Sequence, residues 1–186
     1  LFSNGDFIQG SLLGLHEYQI DPIQEGETQS IIKAYNEAGY EAAAVGNHEL
    51  QDYPMDFFEK AVAGANFPFL AANVFMADNE DEHYVEPYTI IEKQINGESI
   101  KVGVVGFIPP QTKRWGKDNV EGNLVIKDIM PVAREIIPEV ASKSDIVVVL
   151  SHSGLTSAPE DSYEARENAS YYIAQLDGVD AMIMGH

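Results

Sequence analysis

Short apolar runs alternate along the chain with stretches whose apolar positions recur every three or four residues. The runs predict strands at residues 1–5, 41–45, 69–74, 145–150 and 180–184. Two further strands, 88–95 and 99–107, flank Asn96-Gly97, a dipeptide that suits a tight hairpin turn. The helical period predicts helices at 27–38, 54–63, 129–140 and 163–176. In the first of these Ile31, Ile32 and Tyr35 form the apolar face and Gly39 sits at the stop. Residues 6–26 read as a long loop, 76–86 as a solvated acidic loop and 109–119 as a loop carrying the single tryptophan, Trp115. Strands alternating with helices around one hairpin predict an α/β sandwich with a largely parallel or mixed sheet.

Charge narrows the partners. The 186 residues carry 11 basic and 30 acidic side chains, a formal net charge of −19. Such a field opposes non-specific binding to nucleic acid polymers or anionic membranes. It would also repel a phosphate substrate unless bound metal ions supplied local positive charge. The absence of cysteine excludes thiolate metal sites, disulfides and cysteine nucleophiles. No apolar run is long enough to predict a transmembrane segment.

Four polar clusters share one position, the exit of a short apolar strand. They are Gly5-Asp6, Gly46-Asn47-His48-Glu49, Ser151-His152-Ser153-Gly154 and Gly185-His186. Ligand sites in open α/β sheets lie outside the carboxyl ends of strands, so the four exits can converge. Asp6, Asn47, His152 and His186 would offer two oxygens and two imidazoles, a mixed set that suits zinc, manganese or iron better than calcium or magnesium. Taken singly, Asp6, Asn47 and His152 also read as ordinary turn residues; their joint occurrence argues for chemistry. His16 and His83 read as surface residues, and Trp115 as a loop aromatic packing on the sheet, with contact to a ligand alongside Arg114 as the alternative.

Gly46-Asn47-His48-Glu49 resembles the Gly-Asn-His-Glu signature of calcineurin-like metallophosphoesterases. Further stretches are similar, in order, to the 5′-nucleotidase branch, and within it to bacterial 2′,3′-cyclic-nucleotide 2′-phosphodiesterase/3′-nucleotidases. Among them are Asn4-Gly5-Asp6-Phe7-Ile8-Gln9-Gly10-Ser11, Ala61-Val62-Ala63-Gly64-Ala65-Asn66-Phe67-Pro68, Glu167-Asn168-Ala169 and Gly178-Val179-Asp180-Ala181-Met182-Ile183-Met184-Gly185-His186. The resemblance implies an α/β sandwich with mixed sheets flanked by helices. It implies an enzyme with two divalent metal ions (zinc, manganese, iron or cobalt) that hydrolyses cyclic nucleotides and 3′-nucleotides with metal-activated water. Asp6 would bridge the metals, and Asn47, His152 and His186 would complete one of them. His48 would be catalytic, stabilising the transition state or protonating the leaving oxygen.

The same resemblance exposes departures. The family's Asp-x-His motif would precede Leu1, and the second histidine of its Gly-His-x-His motif would follow His186. The chain therefore reads as a catalytic domain truncated at both ends, without the C-terminal nucleotide-recognition domain. It holds four ligands for one metal and only Asp6 for the other, which predicts one bound metal or none and weak activity. Gln51 stands where some relatives pair an aspartate with the catalytic histidine; Asp52, one residue further, is a candidate substitute, and the sequence leaves the partner of His48 open. The alternatives are a 5′-nucleotidase or nucleotide-sugar hydrolase, or a metal-binding module without catalysis. The resemblance also implies a nucleotide substrate and an extracytoplasmic location.

Overall fold

A computed structural model describes all residues, 1–186. In chain order the elements are β1 (Phe2–Ser3), α1 (Leu12–Gln19), α2 (Ser30–Ala38), β2 (Ala42–Ala44), α3 (Asn47–Gln51), α4 (Met55–Val62), β3 (Phe69–Leu70) and β4 (Val74–Met76). There follow β5 (Tyr88–Ile95), β6 (Glu98–Phe107), α5 (Thr112–Trp115), α6 (Lys117–Val120), β7 (Leu124–Ile126), α7 (Ile129–Ala141), β8 (Ile146–Ser151), α8 (Tyr163–Glu167), α9 (Ser170–Ile173) and β9 (Ala181–Met184).

Two main sheets lie face to face. One is parallel, in the order β1-β2-β3; the other runs β5-β6-β8-β9, with β5 antiparallel to β6 and the rest parallel. The two-residue period of the strands shows how they stack. Ala42 and Ala44 face a small inner core with Leu70, Val104 and Leu150. Ala43 and Val45 point the other way, into a larger core with Ile32 of α2 and Phe57, Phe58 and Ala61 of α4. On the far side, Val105, Phe107, Val147 and Val149 pack against Ala133, Ile136, Ile137 and Val140 of α7 and Ile173 of α9. The central strands β2, β6 and β8 are thus covered on two faces, which explains why their inner positions are apolar runs rather than alternating ones. The result is the expected α/β sandwich with a mixed sheet.

Several local expectations are corrected. Residues 12–19 form α1 rather than loop, capped by Ser11, whose Oγ accepts from Gly14 N at 2.9 Å. Its leucines 12, 13 and 15 are exposed, so no apolar stripe marked it. Residues 109–119 contain α5 and most of α6, and β7 was not expected. The strand foreseen at 69–74 splits into β3 and β4. There the fully buried Asn73 holds Ile108 N and the carbonyls of Ile108 and Lys127, carrying the chain from one sheet to another. The helix foreseen at 163–176 breaks between α8 and α9. Ser153 Oγ donates to Glu167 O and accepts from Ala169 N, replacing helical bonds at the break. His83 is not on the surface; it lies half-buried against Phe75, with ring centroids 4.3 Å apart. No helix is long and apolar enough to cross a membrane.

Candidate metal centre

The four strand exits meet at the carboxyl ends of both sheets. β1 and β2 deliver Asp6 and Asn47 from one sheet, while β8 and β9 deliver His152 and His186 from the other. Tight backbone makes this possible. Gly5 (φ +88°) and Asp6 (φ +56°) both adopt left-handed conformations, as does His186 (φ +78°). Such conformations in non-glycine residues persist where surrounding contacts over-determine them, and they cluster at functional sites. Gly46 has no room for a side chain: a Cβ there would lie 2.3 Å from Asp6 Oδ1 and 2.7 Å from Glu49 Oε2.

The Gly46-Asn47-His48-Glu49 motif opens α3 rather than forming a simple turn. Glu49, fully buried, turns back beneath it. Its Oε2 accepts from Asp6 N (2.7 Å) and Gly46 N (2.8 Å), and its Oε1 from Phe7 N (2.8 Å) and Ile8 N (3.2 Å). One carboxylate therefore fastens the β1 exit to the β2 exit. Burial pushes this carboxyl above the ordinary glutamate value, aided by the Asp6 charge and opposed by the N–H donors.

The donor atoms crowd together. His152 Nε2 lies 3.0 Å from Asp6 Oδ2 and 3.0 Å from Asn47 Oδ1, and His186 Nδ1 lies 2.9 Å from the same Asn47 oxygen. The ionisable donors do not close around one point by themselves; the Asn47 amide oxygen joins His186 to the Asp6–His152 pair. That oxygen faces inward because its own Nδ2 donates to Gln51 Oε1 at 3.1 Å. His152 Nδ1 faces the Asn4 carbonyl at 2.5 Å, so Nδ1 carries the proton and Nε2 offers its lone pair to the cluster. Acceptors this close require a proton or a cation among them. Burial works against a charged His152, but the Asp6 hydrogen bond and the Asn4 carbonyl outweigh it, raising its pKa. Burial likewise raises Asp6, yet the His152 and His48 contacts prevail and lower it. The set also fits a metal ion, since neighbouring ligands about 2.1 Å from an octahedral ion lie about 3.0 Å apart.

His48 stands beside this cluster, half-buried. Its backbone N–H donates to Asp6 Oδ1 at 3.0 Å. Its ring Nδ1 is 2.5 Å from Asp52 Oδ2, and the Gln51 amide nitrogen lies 3.0 Å from the same atom. Asp52, the candidate substitute one residue beyond Gln51, thus stands beside the ring together with Gln51. Two neighbours were not foreseen. Trp115 does not pack on the sheet; it stacks on His186, ring centroids 5.3 Å apart and planes 24° apart. Glu167 Oε1 lies 3.4 Å from His186 Nε2, turned there by the break after α8. Asn47, Gln51, Trp115, Glu167 and His186 line an open cleft. The spacing of these residues carried no signal for Trp115 or Glu167, because both reach the site through tertiary packing.

The sequence model of the calcineurin-like phosphoesterases matches residues 1–186, the whole chain. The chain belongs to the calcineurin-like phosphoesterase family. This phosphoesterase chain is 38% identical over 192 residues to a 2′,3′-cyclic-nucleotide 2′-phosphodiesterase/3′-nucleotidase of Salmonella typhimurium, with all of the chain and 29% of the relative covered. It is 39% identical over 196 residues to the trifunctional nucleotide phosphoesterase protein YfkN of Bacillus subtilis, covering all of the chain and 13% of the relative. The crystal structure of calcineurin-like phosphoesterase YfkN from Bacillus subtilis superposes with a TM-score of 0.89, covering all of this chain and 57% of that one. The phosphoesterase chain thus spans less than a third of the length of these two curated relatives. Calcineurin-like phosphoesterases are metal-dependent hydrolases, in keeping with the donor set described above.

Proposed function

We propose that this chain is the metal-holding part of a longer nucleotide phosphohydrolase that acts on 2′,3′-cyclic nucleotides and 3′-nucleotides. The observation that carries the reading is the convergence of Asp6, Asn47, His152 and His186 beside His48. The names of the relatives support the substrate class. Asp6, Asn47, His152 and His186 would hold one divalent ion, and Asp6 would share a second whose other ligands lie outside residues 1–186. When bound, such ions supply Lewis-acid charge and make water acidic enough to react at neutral pH. They also offset the repulsion between the acidic chain and a phosphoryl group.

The chain's own residues supply the rest. Asp6 Oδ1 holds the backbone of His48, so the ligand and the catalytic imidazole move as one unit. Asp52 accepts a hydrogen bond from Nδ1–H of His48, which leaves Nε2 free to act on a substrate oxygen. A protonated His48 would donate to the leaving oxygen as negative charge develops there. The Asn47–Gln51 hydrogen bond links that metal ligand to the end of α3, where Asp52 sits. A nucleotide-recognition domain following this segment, and an extracytoplasmic location, complete the reading.

The test has two parts. Loading the chain with Mn²⁺ or Zn²⁺ and desalting should leave one ion per chain, lost in His152→Ala; no retained ion would overturn the metal assignment. In the longer protein, His48→Ala should lower kcat by roughly 10²–10⁴, and an unchanged kcat would remove His48 from the chemistry. A panel of 2′,3′-cyclic, 3′- and 5′-nucleotides separates the proposed activity from that of a 5′-nucleotidase.

A further inference from the structure

The two imidazoles of the cluster are supported differently on their outer side. His152 turns Nε2 inward, and its outer nitrogen, Nδ1, meets the Asn4 backbone carbonyl at 2.5 Å. His186 is turned the other way round. Its Nδ1 faces the Asn47 oxygen at 2.9 Å, so Nε2 is the outer nitrogen. The group that meets Nε2 is a carboxylate, Glu167 Oε1, at 3.4 Å. A metal-bound imidazole normally donates its outer N–H to a carboxylate or carbonyl, which fixes the tautomer and the ring orientation. A neutral imidazole carries one ring proton, so an acceptor at Nε2 leaves the lone pair on Nδ1.

The place of Glu167 is fixed by three fully buried serines, Ser151, Ser153 and Ser170. Ser153 Oγ donates to Glu167 O at 2.6 Å and accepts from Ala169 N at 2.7 Å. Ser170 Oγ donates to the Ser153 carbonyl at 2.6 Å and lies 2.8 Å from Ser151 Oγ. Ser151 and Ser153 flank His152 in the sequence. The stretch 167–170 is therefore fastened to the strand exit that carries one histidine of the cluster, and it delivers Glu167 to the ring of the other. Gly154 closes the gap between them: a Cβ there would lie 2.3 Å from Asn168 Oδ1. His186 needs such support, because its backbone is left-handed (φ +78°). Trp115 stacks on its ring and limits tilting; Glu167 decides which nitrogen faces inward.

We propose that Glu167 is a positioning residue for His186: it accepts the Nε2 proton, so that Nδ1 presents its lone pair to a divalent ion beside Asn47. The proposal rests on the reading of His186 as a metal ligand and adds to it the group that orients that ligand. Ser153 acts one step further back, since its hydroxyl sets where the Glu167 backbone stands. Both histidines of the cluster thereby share one support, the exit of β8. Asn4 and Glu167 play matching parts, one acceptor behind each ring.

The probe is Zn²⁺, its affinity for metal-stripped chain measured by competition with a chromogenic chelator. Glu167→Ala should weaken zinc binding by about 10–100-fold, the usual effect of losing such a partner. Glu167→Gln keeps an acceptor oxygen for Nε2–H and should recover most of that loss. Nitrogen-15 spectra of zinc-loaded chain labelled at histidine should show His186 ligated through Nδ1 and protonated at Nε2. The urea midpoint of metal-stripped chain should be the same in the native chain and both variants. Equal losses of affinity in the alanine and glutamine variants would overturn the proposal, because they would trace the effect to charge near the ion rather than to orientation. Ligation through Nε2, or a fall in metal-free stability that parallels the loss of zinc, would overturn it too. The metal reading is tested separately by the native chain and His152→Ala. If the native chain binds no zinc, that reading falls and this proposal with it. If zinc binds, is lost in His152→Ala and is held undiminished in Glu167→Ala, this proposal alone falls.

Discussion

Replacing Glu49 by glutamine tests how the site is built. The change keeps shape and volume and removes one acceptor oxygen. In the native chain four backbone N–H groups converge on the carboxylate, two on each oxygen. A glutamine can keep one oxygen, and its NH₂ must then face the other two N–H donors. Two hydrogen bonds to a charged acceptor are lost, each worth about 1.5–3 kcal/mol. Removing a charge that burial disfavours returns part of this. The expected net loss is about 2–4 kcal/mol, a large share of the 5–15 kcal/mol that typically holds a domain together. Urea unfolding of metal-stripped chain, followed through Trp115 fluorescence, should show the midpoint falling by roughly 1–2 M for an m-value of about 2 kcal/mol/M. Affinity for Mn²⁺ should fall as well, because the Asp6 backbone is no longer fastened to Gly46. A stability loss below about 0.5 kcal/mol would refute the reasoning, since it would mean that the four contacts are not what joins the two strand exits.

Gly46→Ala places a Cβ 2.3 Å from Asp6 Oδ1; retained Mn²⁺ in desalted chain should drop to background, and wild-type stoichiometry would count against the close approach. Asp52→Asn in the longer protein should lower kcat by roughly tenfold with metal content unchanged, as removal of an orienting partner typically does, and parallel losses of metal and kcat would argue for a structural role instead. Metal-free chain should be pH-sensitive through the Asp6–His152 pair. The raised His152 contributes stability below its unfolded pKa that is lost as pH rises through its folded pKa. The lowered Asp6 contributes above its unfolded pKa and loses it as pH falls through its folded pKa. Urea midpoints should therefore fall on the alkaline side of the His152 titration, and His152→Gln should flatten that limb. Trp115, stacked on His186, should change fluorescence on titration with Zn²⁺, an effect expected to vanish in His186→Ala.

What could be read in the sequence was what depends on neighbours along the chain. The predicted strands at residues 41–45, 99–107 and 145–150 were legible because their central positions are covered on both faces and are therefore apolar. The strand exits announced Asp6, Asn47, His152 and His186, because polar residues with glycines after an apolar strand are a local pattern. The roles proposed for them rest on the resemblance around Gly46-Asn47-His48-Glu49. Asp52 was within reach of the same argument, lying one helical turn from His48 at the end of α3.

The remainder was decided only when separated segments met. Leu12, Leu13 and Leu15 are exposed on α1, so the period that announces helices was missing there. The break between α8 and α9 depends on Ser153, which sits on another segment and takes over the hydrogen bonds at Glu167 and Ala169. That break turns Glu167 toward His186, and the turn of α5 brings Trp115 onto the same ring. Glu49 sits in the family signature, yet its grip on Asp6, Phe7 and Ile8 spans more than 40 residues of chain. Local sequence determines which residues can serve as strands, turns and ligands, since it sets period and backbone freedom. Which of them touch depends on two sheets packing through a core of alanine, valine and leucine, a long-range balance that no single segment encodes.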